Sequence, residues 1–233
     1  MTADPTPDPI ARRRRPRLRR LAAVLAAVLA AVSGYFTATA ILADGPSYDQ
    51  IPPPQPTTTG VPPDLSPDAP ALAAPLGASE PVHIDVPRVG IHADLIEVGQ
   101  NADGSVAVPS EDQAAQAAWY TGSVTPGQTG ATVILGHVDS RALPRGRAAF
   151  YPLGAAHPND EVDVTRHDHT VARFRIDVVT LVDKQHFPTQ AVYGPTAAPA
   201  LRLITCGGTY TTTGGYAANV IVFAHYVGSR PAG

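Results

Sequence analysis

The sequence predicts an all-β barrel or sandwich over residues 81–233, and three observations carry that prediction. Short runs alternating apolar and polar residues recur through this part of the chain, as half-buried strands require. Helix-like stretches are few and short, and polar connections separate the runs. The length, about 150 residues, is that of one domain with a proper core.

The elements follow in order. PVHIDVP and IHADLIEVG alternate and read as the first two strands, and SVAVP reads as a third, short one. The alanine-rich stretch SEDQAAQAAWY predicts one or two helical turns. ATVILGH is almost continuously apolar, which predicts an inner strand. A short helical piece is expected near AAFYPL. EVDVTR and VARFRIDVVTLVD flank the polar HDHT and predict a hairpin. Another short helix is expected at TQAVYG, and LRLITC and NVIVFAHYV complete a set of eight strands. No internal repeat is present.

What precedes this domain predicts an exported protein. Residues 1–20 form a basic arm with seven arginines against Asp4 and Asp8. Residues 21–43 carry no charge, and as a helix they would extend about 35 Å, enough to cross a hydrocarbon core of roughly 30 Å. The arginines flank one side only, which predicts a signal anchor with a cytoplasmic N-terminus and an extracellular domain. A cleavable signal peptide fits the same residues, and the length of the segment favours the anchor. Residues 44–80 are rich in proline, threonine and alanine without periodicity, which predicts a disordered, extended linker. The net charge of −3 divides into +5 on the arm and −8 on the remainder. An acidic domain excludes nucleic acid as a partner, since phosphate binding needs clustered Lys and Arg.

Cys206 is the one cysteine, so it has no intramolecular disulfide partner. Most free cysteines are small buried hydrophobes. This one ends an alternating run and precedes Gly207 and Gly208, where the chain is expected to turn sharply and leave the thiol facing a groove. A nucleophilic thiol needs a base, usually histidine. Of eight histidines, His83 and His92 lie in strand runs, His167 and His169 in the hairpin turn, His157 in a loop and His225 near the end of the last strand. The H-x-H pair at 167 and 169 lacks further ligands at zinc spacing, and no metal or organic cofactor is expected. His137 stands apart, because it ends ATVILG at a second strand-to-loop junction beside glycine. Read from pattern alone, a Cys–His acyl-transfer site and a structural cysteine both remain open.

ATVILGHVDS, KQHFPTQAVYG and LRLITCGG, followed by the GY…NVIVFA strand, resemble the sortases, most closely those of class F from actinobacteria. The resemblance spans about Val82 to Val227. It implies an eight-stranded sortase-type β-barrel and a membrane-tethered cysteine transpeptidase. The implied substrates are LPxTG-like sorting signals cut between Thr and Gly through a thioester acyl-enzyme. An amine of a cell-wall precursor or a pilin would then resolve the intermediate. Carried over, Cys206 is the nucleophile and His137 the general acid, with Thr205 and Gly207 shaping the peptide groove. The family's oxyanion arginine, expected where Ala217 stands in Gly215-Tyr216-Ala217-Ala218-Asn219, is absent. Asn219 is a weaker candidate donor. Arg202 lies about 13 Å along its strand from Cys206, too far to serve. Arg141, Arg145 and Arg147 in the loop after His137 are the remaining candidates. The alternative implied by the missing arginine is a weak or inactive sortase-fold module that binds sorting signals. Scattered acidic residues (Glu111, Asp112, Asp160, Glu161, Asp163) make no calcium site.

Overall fold

The computed structural model describes residues 52–61 and 72–233. The predicted arm and membrane segment, residues 1–43, lie outside the described residues. Among the described residues no helix is long and apolar enough to cross a membrane.

Among the described residues nine strands form one sheet: β1 (Thr58–Thr59), β2 (Pro81–Val86), β3 (Ile91–Val98), β4 (Ala117–Tyr120), β5 (Gly130–Gly136), β6 (Glu161–Arg166), β7 (Thr170–Asp183), β8 (Pro199–Thr211) and β9 (Gly215–Pro231). The spatial order is β1-β7-β6-β2-β3-β4-β5-β8-β9, and β9 returns to pair with β7. Eight strands therefore close into a barrel, which removes the exposed edges an open sheet would present. β7 takes β6 along its first half and β1, in parallel, beside Thr180 and Leu181. Among the described residues one α-helix, α1 (Thr189–Tyr193), precedes β8.

Strand alternation sorts the side chains into two apolar clusters. Ile84 and Val86 on β2, Val162 and Val164 on β6, Phe174 and Ile176 on β7, Leu201 and Leu203 on β8, and Val220 and Val222 on β9 fill the barrel interior. Phe150 and Leu153, from the connection between β5 and β6, join them. The opposite face of the same strands carries Val133, Leu135, Val182, Ile204, Ile221 and Phe223, and α1 lies over these through Val192. Phe174 has no exposed surface and meets Tyr226 edge-on at 5.6 Å between ring centroids. Phe174→Ala is expected to lower unfolding free energy by about 3–5 kcal/mol, which urea denaturation would measure.

Two expectations need correcting. AAWY of the supposed helical stretch is β4; only Glu111–Gln113 forms a helical turn, of the 3₁₀ type. Ala117 and Ala118 are fully buried and Trp119 nearly so, between β3 and β5. A strand covered on both faces has no alternation to read. SVAVP, conversely, makes only an isolated bridge from Val106 to Gln100. The described stretches of the linker also differ from a free chain. β1 joins the barrel, the Leu76 N–H donates to the Gly127 carbonyl, and the buried Arg166 guanidinium binds the carbonyls of Gly77 and Pro126.

Candidate active site

β5 and β8 are parallel neighbours, in register from Gly130↔Pro199 to Leu135↔Ile204. Extending that register by two residues sets His137 beside Cys206 on strands about 4.8 Å apart. The Thr205 hydroxyl donates to the Gly136 carbonyl at 2.8 Å and ties the two chains together one residue before the pair. A Cβ at position 136 would lie 3.0 Å from the fully buried Phe150 ring, tighter than ordinary contact, so glycine fits here without moving the core. The bare backbone thus lets the core residue Phe150 sit directly beneath the junction.

Cys206 is a free, half-buried thiol. By alternation it shares a face with Ile204 and lies outside the barrel, at the end of the cluster covered by α1. His137 Nε2 lies 2.6 Å from the Pro109 carbonyl oxygen. A carbonyl only accepts, so Nε2 carries the proton and Nδ1 is the nitrogen that gains or loses one. The Phe150 N–H donates to the His137 carbonyl at 3.0 Å and holds the residue from the other side.

Asn219 pairs directly with Cys206 across β8 and β9, so both side chains project from one face. Tyr216 donates its hydroxyl to Asp139, two residues after His137. Burial, reinforced by that carboxylate, raises the Tyr216 pKa well above the usual tyrosine value, so it stays a neutral donor.

Gly207 and Gly208 do not turn the chain away as expected. β8 runs on through them, with a register irregularity between Gly207 and Tyr210. Gly208 sits at φ +78°, a conformation that glycine adopts at no steric cost, and this bulge lets the strand continue. Its N–H donates to Gln55 Oε1 at 2.8 Å, so the segment before the barrel lies against the strand two residues past the thiol.

Arg202 is committed elsewhere. It donates to the carbonyls of Ala191 and Leu201 at 3.1 Å each, and its guanidinium stacks 4.8 Å from the Phe223 ring centroid. Burial lowers its pKa to about 10. It pins α1 to the sheet rather than reaching the thiol. Arg147 stacks on Tyr151 at 4.8 Å. Arg145 is exposed with φ +60°.

Of the predicted site residues, Cys206, His137 and Asn219 stand together around the ends of β5 and β8. Thr205 is 3% exposed and its hydroxyl is spent on Gly136, so it sets the spacing of the two strands. Gly207 is buried opposite Ala218. Sequence reading missed Pro109, Asp139, Tyr216 and Gln55. The D of G-H-x-D and the Y of GY were visible but had no assigned partner. A backbone carbonyl such as that of Pro109 leaves no sequence signal at all.

A solved structure shares this fold. Sortase A of Listeria monocytogenes overlays with a TM-score of 0.50 at 14% identity, covering 66% of this chain and 92% of its own. A sortase from Actinomyces oris gives 0.49 at 22% identity, over 67% and 84%. No curated protein matches this sequence. The sortase domain model matches residues 84–227, which takes in the barrel from Ile84 through both strand-end junctions, and a match over more than half of the sequence means that the chain belongs to the sortase family.

Proposed function

We propose that the chain is a cysteine transpeptidase acting on LPxTG-like sorting signals. The observation that carries this is the register of β5 and β8, which sets His137 and Cys206 side by side at adjacent strand ends. The Cys206 thiolate attacks the threonine carbonyl carbon, and the carbonyl oxygen becomes an oxyanion. The bond to the glycine nitrogen then breaks as His137 gives that nitrogen its proton. A thioester on Cys206 remains and the glycine-side fragment leaves as an amine. An incoming amine of the cell envelope attacks the thioester and loses a proton to His137, and Cys206 leaves as the thiolate, which restores the starting pair. The apolar face beside Cys206, with Ile204, Val98, Val106 and α1, suits an extended peptide with an apolar first residue.

Residues 1–43 act in this reading as arm and anchor, with the barrel on the extracellular side, and class F is the subgroup the motifs resemble. A second reading, a module that binds sorting signals without turning them over, is favoured by one observation. Ala217 stands where the family's arginine is expected, and Asn219 is the polar side chain facing Cys206.

The test is a two-substrate assay with an LPxTG peptide and a glycine-based amine. A ligated product whose formation depends on both is expected. Saturable peptide binding without cleavage or ligation establishes the binding-module reading instead.

A further inference from the structure

On the far side of the barrel from β8, four side chains of β2 and β3 converge. The two strands are antiparallel, with His83 opposite Asp94 and Asp85 opposite His92. Their neighbours Ile84, Val86, Ile91 and Ala93 are buried in the core, so alternation turns all four polar residues outward as one square. His83 Nε2, His92 Nδ1 and Asp85 Oδ1 form a triangle with sides of 2.9, 2.6 and 3.6 Å. From these contacts we propose that His83, Asp85 and His92 bind a divalent transition-metal ion, with zinc as the best fit.

Proton counting supports it. The Asp85 carboxylate only accepts, so the 2.6 Å contact requires a proton on His92 Nδ1. The 2.8 Å contact from His83 Nδ1 to Asp94 Oδ1 likewise requires a proton on His83 Nδ1. In the neutral ring His83 Nε2 is then a lone pair, directed at the same His92 nitrogen. His92 Nδ1 thus offers one proton to two acceptors, and three potential ligand atoms share it. A metal ion that replaces that proton satisfies all three at once.

The dimensions and chemistry agree. Tetrahedral zinc with bonds of about 2.0–2.1 Å holds its ligand atoms about 3.3 Å apart, so the observed triangle needs shifts of only a few tenths of an ångström to about 0.7 Å. The His92 side chain, 77% exposed, is free to take the largest of these shifts, while His83 and Asp85 are half-buried at 18% and 33% and hold their places. Two imidazoles and one carboxylate suit zinc, cobalt, nickel or copper, whereas calcium and magnesium prefer all-oxygen shells. Asp94 supplies the outer partner that metal-bound histidines usually have, a carboxylate on the ring nitrogen facing away from the ion. Asp163, opposite Asp85 on β6, is taken by Arg230 at 2.9 Å and Arg173 at 3.6 Å, so it does not compete for the site. β4 and β5 separate β3 from β8 in the sheet, which makes this ion a staple of the β2–β3 hairpin rather than a participant at Cys206.

The proposal departs from the sequence expectation of no metal. His83, Asp85, His92 and Asp94 are spread over twelve residues, and nothing in their spacing shows that they meet. The strand register alone does.

The experiment uses full-length protein purified without a polyhistidine tag, stripped with chelator and titrated with Co²⁺ and then Zn²⁺. One saturable equivalent is expected, with visible Co²⁺ bands of a low-coordinate nitrogen and oxygen site that Zn²⁺ displaces. A rise in melting temperature should accompany the zinc. His83→Gln and His92→Gln, checked by circular dichroism for an unchanged fold, should each weaken binding at least tenfold. His167→Gln/His169→Gln and Cys206→Ala should leave it unchanged. The absence of a saturable equivalent, binding that survives in His83→Gln/His92→Gln, or a sulfur-to-cobalt charge-transfer band that Cys206→Ala removes would each overturn the proposal.

Discussion

Incubated with an LPxTG peptide and no amine, the protein gains the mass of the acyl fragment ending in threonine, and Cys206→Ala gains nothing. The sole cysteine makes this result unambiguous, since no other thiol is available in the chain. Addition of a glycine-based amine should discharge the adduct and return the original mass. His137→Ala should lose turnover by at least about 10²-fold, the ordinary scale of a general acid–base contribution, while keeping the Cys206 thiol alkylatable. The two variants therefore separate two losses. Cys206→Ala removes the covalent intermediate itself. His137→Ala removes proton delivery to a leaving amine, which departs poorly as an anion. An adduct in Cys206→Ala, or none in the native chain despite saturable peptide binding, would contradict the transpeptidase reading. The His137 tautomer adds a further check. Pro109 holds the proton on Nε2, so the nitrogen that exchanges protons during the reaction is Nδ1. Nitrogen-15 shifts of the imidazole should report a neutral form protonated at Nε2.

The barrel and the two strand-end positions proposed for the site, His137 and Cys206, were legible in the sequence through their apolar runs. ATVILGH and LRLITC are buried on both faces and read as strands through their β-branched residues, and each places a candidate site residue where the apolar run stops. β4 was not legible because Ala117, Ala118 and Trp119 are all buried and alanine is also the best helix former. SVAVP failed in the opposite way. Its alternation is real, but the register grants it one bridge at Val106. The deeper limit is register itself. Which residue faces which across two strands depends on pairing that no local pattern encodes. Asn219 opposite Cys206, the Pro109 carbonyl against His137, and Gln55 against Gly208 all depend on such pairing. Composition misled at residues 52–61 for a related reason. Proline- and threonine-rich chain buries little by itself, but the second half of β7 beyond β6 has backbone groups open to a partner, and Thr58 and Thr59 take that place.

Ala217→Arg is expected to raise turnover of the LPxTG peptide by about 10²-fold or more, the inverse of what loss of one oxyanion donor costs. Ala217 is two residues from Asn219 on β9, so the two side chains share the face that carries Cys206. It is exposed, and with Gly208 and Thr209 it lines an open cleft of about 510 Å³ on the side of β1 and Asp183, so a guanidinium has room there but must turn back along β9 to meet a carbonyl on Cys206. Asn219 already faces the thiol, and Asn219→Ala should therefore lower whatever activity the native chain has while costing Ala217→Arg much less. That asymmetry distinguishes a charged donor that replaces the amide from one that merely adds to it. The cleft also holds Asp183, whose carboxylate accepts from the Gln185 N–H at 2.7 Å and would attract a new arginine away from the reacting carbonyl. The measurement therefore includes Ala217→Arg with Asp183→Asn. Rescue only in that double variant identifies capture by Asp183 as the obstacle. No rescue in either, with peptide affinity unchanged, shows that the oxyanion site is limited by more than the missing guanidinium, and the binding-module reading then stands.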